Sequence, residues 1–441
     1  MRALCCRGLR GALSQITGGT KVPAASPAGA RAAAAVAAVA AAAGPQPFRA
    51  AGAAMSTQAA EPEVLNDVQG SAGVATLNRP RALNALTTGM VEALFDVYQR
   101  WDADPGIACI VLKGAGDRAF CAGGDVKTVV QLGQAGRIEE ALRFFYQEYR
   151  LNYLISRMHK PHVALIDGIT MGGGVGVSVH GTFRIATERT VFSMPECAIG
   201  LYPDVGGSFF LPRLRGGLGM YLALTGARLN GVDVRHAGIA THYIPSQLLP
   251  QVHQSIVSLG AAAKDAAVLG ELLTSYEQRE PLPAGQLHTI RADIDFCFGG
   301  KQSVEEIYAE LERSGGQWGI DTIALMSKGS PLSQKLTFEQ LRRGAQQDLA
   351  DCLKMENRMV TRCVTNVGSD FYTGVTAALI TRSGNPAWVP ASLKDVRPEH
   401  IAEFFQPLPA ERELQLPPAP SHYDSSSSSS QLGPAREHSR L

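Results

Sequence analysis

An α/β core over residues 60–290, followed by a helical region over 291–410, is the architecture the sequence predicts. Three observations carry this. Short β-branched runs alternate with helical periodicity through the first part of the chain. Those runs close on Gly, Asn or Asp, as strand ends do. After about residue 290 the runs stop and only helical spacing continues.

The strand candidates, in order, are GVATL (73–77), IACIVLKG (107–114), HVALIDG (162–168) and FRIAT (183–187). Between the first two, TTGMVEALFDVYQRWDAD places Met90, Val91, Leu94, Phe95 and Val97 at helical intervals. Beyond residue 290, SVEEIYAELERSG carries Val304, Ile307, Tyr308 and Leu311 on one face. SPLSQKL opens a further helix, with Ser330 as cap and Pro331 in the first turn, where a missing N–H costs nothing. A longer stretch puts Leu349, Cys352, Leu353, Val360 and Cys363 on one face.

Both ends differ from this pattern. Arg2, Arg7, Arg10, Lys21, Arg31 and Arg49 precede the first acid, Glu61, in a stretch rich in Ala, Ser and Gly. That composition predicts a disordered mitochondrial transit peptide over residues 1–55 and a matrix location. Residues 411–441 include a serine run without apolar periodicity, which predicts a disordered tail. The chain closes on Ser439, Arg440 and Leu441, similar to the Ser-Lys-Leu peroxisomal address. Met55, as an internal start, would drop the leader and leave that tail in charge of a peroxisomal form.

Composition excludes several classes. The 441 residues are 45% hydrophobic and 18% charged, with a formal net charge of +1, so bulk charge does not draw nucleic acid. The longest candidate span, Ala32 to Ala43, falls short of the roughly 20 residues a membrane helix needs, so no membrane partner is expected. The eight cysteines form no C-x-x-C pair, which points to a reduced compartment. His159 and His162 lack an adjacent Cys or acid, and no metal site is expected.

The chemistry-bearing feature is glycine. In HVALIDGITMGGGVG an apolar strand ends at Gly168, and Gly172, Gly173 and Gly174 precede a helical stretch. AFCAGGDV (119–126) repeats this arrangement after IACIVLKG, with Gly123 and Gly124 before Asp125. Glycine lets a ligand approach the backbone, and N–H groups at a helix start favour negative charge. Two such turns supply the two donors that an oxyanion hole requires.

LNRPRALNAL, KGAGDRAFCAGGDV, ITMGGGVG and MPECAIGLYPDVGG stand in the order and spacing of the crotonase (enoyl-CoA hydratase/isomerase) superfamily, which the chain therefore resembles over about residues 64–250. The resemblance implies a spiral of repeated ββα units, assembly into trimers or hexamers, and a small-molecule acyl-CoA substrate. Coenzyme A is then part of the substrate, and no separate cofactor is expected. It further implies an oxyanion hole from the amides of Gly124 and Gly173, with Ala122 and Lys127 beside the CoA moiety.

The same resemblance separates hydration from hydrolysis. Hydratases of this superfamily use two carboxylates, one of them three residues after the middle glycine. That position is Gly176, which has no side chain; the other is retained as Glu196. Asp204 stands where hydratases usually have glycine. Together with Glu148 in FFYQEYRLN, and with the late matches DFYTGVTAALI and NPAWVP, this resembles the 3-hydroxyisobutyryl-CoA hydrolase branch, to about residue 405. The implied roles are attack or water activation by Glu196, and placement of the substrate hydroxyl or water by Asp204 and Glu148, in valine breakdown. 3-Hydroxypropionyl-CoA is the second expected substrate. The alternatives are enoyl-CoA hydration or isomerisation, and a non-catalytic subunit of a larger assembly such as a mitochondrial ribosome. Asp204 also stands where it would cap a helix starting at Val205. His180, Cys121 and Cys197 are expected to pack rather than react.

Overall fold

The computed structural model describes residues 61–277 and 282–417. The transit leader over residues 1–55 and residues 418–441, with the serine run and the terminal tripeptide, lie outside the described residues. Residues 411–417, expected to belong to the disordered tail, are instead packed: Leu414 is buried in the core and Glu413 pairs with Arg358 at 2.9 Å.

Among the described residues ten strands form two sheets. The larger has six strands in the order β1 (Val64–Gln69), β2 (Ala72–Leu77), β3 (Cys109–Gly114), β5 (His162–Ile166), β7 (Phe183–Ala186) and β10 (His242–Tyr243). All its neighbours run parallel except the β1–β2 hairpin. The smaller sheet is β4 (Ala119–Cys121), β6 (Ile169–Met171), β8 (Val191–Ser193) and β9 (Leu229–Asn230). The pairs β3/β4, β5/β6 and β7/β8 each give one strand to each sheet, and neighbouring pairs are parallel. Repetition of that step winds the chain into the expected spiral of ββα units.

Alternation along the strands explains why the larger sheet is buried on both faces. Ile110 and Leu112 of β3, with Ala164 and Ile166 of β5, join the main core; Cys109, Val111, Val163 and Leu165 join a second cluster on the opposite face. A parallel sheet covered on both sides reads as a continuous apolar run, so these strands are legible from sequence. β1 is more polar and its burial is confined to Val64, which hides it from the same reading. β4, β6 and β8 have three residues each, too few to show a period.

Four helices frame the site. Helix α1 (Thr88–Ala103) is capped by Thr87, whose side chain accepts from the Met90 amide. Asp125 caps α2 (Val126–Gln134). The long α3 (Ile138–Arg157) follows, and α4 (Gly173–Val179) begins at the triple glycine and is buried throughout. Among the described residues seven α-helices follow residue 285: α5 (Gln286–Phe298), α6 (Val304–Ser314), α7 (Gln317–Met326), α8 (Pro331–Gly344), α9 (Leu349–Thr365), α10 (Asp370–Val375) and α11 (Pro398–Phe404). Ser330 caps α8, accepting from the Ser333 amide, with Pro331 in its first turn. These helices share one apolar cluster with the sheets, from Val64 to Leu414. No helix of the described residues is long and apolar enough to cross a membrane.

Candidate active site

The two glycine turns meet. Leu86 ties the first one down: its amide donates to the Gly123 carbonyl at 2.9 Å, and its carbonyl accepts from the Asp125 amide at 2.8 Å. Arg79 adds an ion pair to Asp125 at 3.3 Å, which accounts for an arginine in LNRP. The second turn reverses at Gly172, whose φ of 45° is in the left-handed region that glycine tolerates. A methyl group on Gly173 would stand 3.2 Å from the Gly124 nitrogen, so the two backbones are in near contact. Neither the Gly124 nor the Gly173 amide donates to an acceptor among the described residues. Two free amides this close can share one acceptor atom.

Three acidic side chains surround them. Glu196 opens a short 3-10 turn, Glu196–Ile199; its Oε1 lies 3.0 Å from where a Gly172 methyl would stand. Glu148, on the inner face of α3, places Oε1 2.3 Å from the corresponding point on Gly173. Asp204 accepts the Tyr149 hydroxyl at 2.8 Å. All three are at most 5% exposed. Glu148 Oε1 and Glu196 Oε2 have no hydrogen-bond partner among the described residues. Burial, then the neighbouring carboxylates, drives Glu148 and Glu196 well above the usual carboxylate range. Burial raises Asp204 to about 6, against the pull of the Tyr149 hydrogen bond. Carboxyls crowded in this way hold protons at pH values where exposed acids have lost them.

Gly176 is more than a missing acid. A methyl there would stand 2.6 Å from Val205 Cβ and 2.9 Å from Asn152 Nδ2. The space of the absent side chain is occupied by the residue after Asp204 and by a residue of α3. Val205 itself has φ 52°, a conformation that β-branched residues rarely adopt. Several contacts hold it there. His180 Nε2 lies 2.7 Å from the Val205 carbonyl, which can only accept, so that nitrogen carries the proton. Glu356 of α9 accepts from the Gly206 amide at 2.8 Å, and from the Ser208 amide at 3.0 Å and hydroxyl at 2.5 Å. Gln340 of α8 donates to the Pro203 carbonyl at 2.6 Å. The helix after Asp204 therefore starts at Gly207, capped by Glu356 from far along the chain, and not at Val205 with Asp204 as its cap.

Helices from beyond residue 300 also brace the Glu196 segment. Ser330 donates its amide to the Cys197 carbonyl at 3.0 Å, and the Cys197 thiol meets the Thr337 hydroxyl at 3.2 Å. Burial pushes the Cys121 and Cys197 thiols up to about 12, which suits packing rather than nucleophilic attack. Ala122 is half-buried, its amide held by the Leu83 carbonyl at 3.0 Å. Lys127 is exposed in the first turn of α2 and carries no side-chain partner among the described residues. His159 pairs with Asp102 at 2.9 Å, while His162 is buried against the Tyr98 hydroxyl.

The residues anticipated from sequence thus converge: Gly124, Gly173, Glu148, Glu196 and Asp204 share one buried site. Tyr149, Asn152, Gln340 and Glu356 were not anticipated. Asn152 carried a usable signal, being one helical turn after Glu148. Glu356 carried none, because 150 residues separate it from Gly206.

A family profile described as enoyl-CoA hydratase/isomerase matches residues 72–405. The chain is 44% identical to the protein named 3-hydroxyisobutyryl-CoA hydrolase, mitochondrial, of Danio rerio, over 82% of this chain and 94% of that one. It is 43% identical to the protein of the same name from Homo sapiens, over 80% and 90%. Among solved structures, a carnitinyl-CoA dehydratase from Mycobacterium thermoresistibile superposes with a TM-score of 0.73 at 37% identity, over 80% of this chain and 98% of that one. An enoyl-CoA hydratase from Rhodobacter sphaeroides gives the same TM-score at 36% identity, over 80% and 100%. With its spiral of ββα units, its paired glycine turns and these relatives, the chain belongs to the enoyl-CoA hydratase/isomerase family, the crotonase superfamily.

Proposed function

We propose that this protein is an acyl-CoA thioester hydrolase that converts 3-hydroxyisobutyryl-CoA, and 3-hydroxypropionyl-CoA as a second substrate, to the free hydroxy acid and CoA. The observation that carries the reading is Glu196. Its buried carboxyl stands over two free amides, while the site of a hydratase's other acid is filled by Val205 and Asn152. The names of the curated relatives support the same chemistry.

The thioester oxygen accepts from Gly124 and Gly173, which stabilise the charge it gains at the tetrahedral stage, each donor by about 3–4 kcal/mol. Ionised Glu196 acts on the carbonyl carbon by one of two routes. It attacks directly, giving a mixed anhydride that water then opens, or it takes a proton from water as that water attacks. Either way the C–S bond breaks and the thiolate leaves as CoA thiol. Asp204, oriented by Tyr149, and Glu148 serve the polar end of the acyl group or the water. Ala122 and Lys127 flank the CoA portion. The reaction needs no further cofactor.

The leader over residues 1–55 would take the protein to the mitochondrial matrix, for valine breakdown, in line with the relatives' mitochondrial names. The tripeptide Ser439–Arg440–Leu441 would act only in a product starting at Met55, which a fluorescent fusion from that residue would reveal.

Free-thiol release from 3-hydroxyisobutyryl-CoA, alongside hydration of crotonyl-CoA, tests the reading. Rapid thiol release with negligible hydration is expected. Hydration without thiol release would replace it with the hydratase reading.

A further inference from the structure

The inner face of α3 contains a group that this chemistry has not yet used. Glu148 and Asn152 are four residues apart on α3, so they share a face. Opposite them on α4, Gly173 and Gly176 are three residues apart. Each glycine makes room for one polar side chain: Gly173 for Glu148 and Gly176 for Asn152. Asn152 is 0% exposed, and neither Nδ2 nor Oδ1 has a hydrogen-bond partner among the described residues. A primary amide has two donors and an acceptor with two lone pairs. Native interiors seldom leave such a group wholly unpaired, so a ligand or a bound water is expected to meet it.

The spacing fits the substrate. With the thioester oxygen at the Gly173 amide, Gly176 lies nearly one helical turn further on, about 4.5 Å along α4. In a 3-hydroxyacyl thioester the hydroxyl oxygen is four bonds from the carbonyl oxygen, within that reach. A hydroxyl both donates and accepts. Ionised Glu148 or Asp204 can take its proton but cannot donate to its oxygen. The amide of Asn152 can.

We propose that Asn152 is the specificity-determining contact for the 3-hydroxyl of the acyl group: its Nδ2 donates to the hydroxyl oxygen while a neighbouring carboxylate accepts the hydroxyl proton. This rests on the thioester hydrolase reading and adds what the site selects for.

The test compares kcat/KM for 3-hydroxyisobutyryl-CoA and isobutyryl-CoA, which lacks the hydroxyl, in the wild type, Asn152→Leu and Asn152→Ala, with melting curves for all three. A site built to hydrogen-bond a hydroxyl rejects an analogue without one, so the wild type should prefer the hydroxylated thioester strongly. In both variants that preference should fall at least about tenfold, chiefly through slower turnover of the hydroxylated substrate. Asn152→Leu, which removes an unpaired buried amide while keeping the same branched frame of four heavy atoms, should melt no lower than the wild type. If both substrates slow alike and the preference persists, the amide serves the water or the fold and the proposal is overturned. An unchanged preference at unchanged rates overturns it as well. Failure of the wild type to release thiol from the hydroxylated substrate would instead sink the underlying reading, and the inference with it.

Discussion

Two groups of buried acids lie close together in this molecule and are treated in opposite ways. At the junction of α9 with the loop after Asp204, Glu356 accepts from two amides and a hydroxyl. Over the glycine turns, Glu148 and Glu196 each keep an oxygen without a hydrogen-bond partner among the described residues. Burial raises the pKa in both places, and Glu356 reaches about 8 even with its donors pulling the other way. The difference lies in the hydrogen bonds. A buried acid that is fully bonded holds structure together; one left unbonded costs stability and is kept for what binds there.

Substitution should separate the two groups. The largest effect is expected for Glu196→Gln. Thiol release should fall at least about a hundredfold, as for loss of a key acid–base group, with little change in melting temperature. A variant that keeps more than about a tenth of wild-type turnover would contradict the role of Glu196. Glu356→Ala should do the reverse first. Loss of its hydrogen bonds leaves buried donors unsatisfied, at about 3 kcal/mol or more, so chemical denaturation should show a clear loss of stability. Turnover should drop too, because Val205 and Asp204 lose their anchor. Intact stability in that variant would mean that the loop holds its shape without α9.

The pH dependence gives a finer contrast. Glu196 must be ionised to act, and its folded pKa is raised by burial and by Asp204. The acid limb of kcat should therefore lie above the ordinary carboxylate range. The same shift has a stability consequence. A carboxyl whose folded pKa exceeds its unfolded value binds its proton more tightly when folded, so its contribution is favourable at low pH and is lost as pH rises toward the folded pKa. For Asp204 that window runs from the ordinary aspartate value of 3.8 to about 6. Removing such a group should help most at neutral pH. The smallest predicted effect is accordingly that Glu196→Gln melts slightly above the wild type at pH 7, an advantage that shrinks on acidification to pH 4. An advantage that instead grows on acidification would mean that the folded pKa is not raised.

How much of this was legible in the sequence follows from what each residue reports. Gly172 to Gly174 and Gly123 to Gly124 betray a backbone requirement, so both turns could be read directly. Glu196 was legible through its neighbours in MPECAIG. Gly176 announced a missing acid, but not the two side chains that fill its place, because no local pattern encodes what a distant helix inserts. Asn152 offered only its place one helical turn after Glu148, and what it faces emerges once α4 is packed against it. Val205 gave no sign of its left-handed backbone, since that conformation is imposed by His180 and by the Glu356 contact to Gly206, neither of them local. The long strands of the larger sheet were readable from their apolar runs; the three-residue strands of the smaller sheet were too short to announce themselves.

The most direct measurement is a crystal structure of the Glu196→Gln variant holding intact 3-hydroxyisobutyryl-CoA. The account predicts the thioester oxygen within about 3 Å of both the Gly124 and Gly173 nitrogens, with the residue 196 side chain facing the carbonyl carbon. A thioester oxygen that touches neither amide, or a residue 196 side chain turned away from the carbonyl, would contradict it.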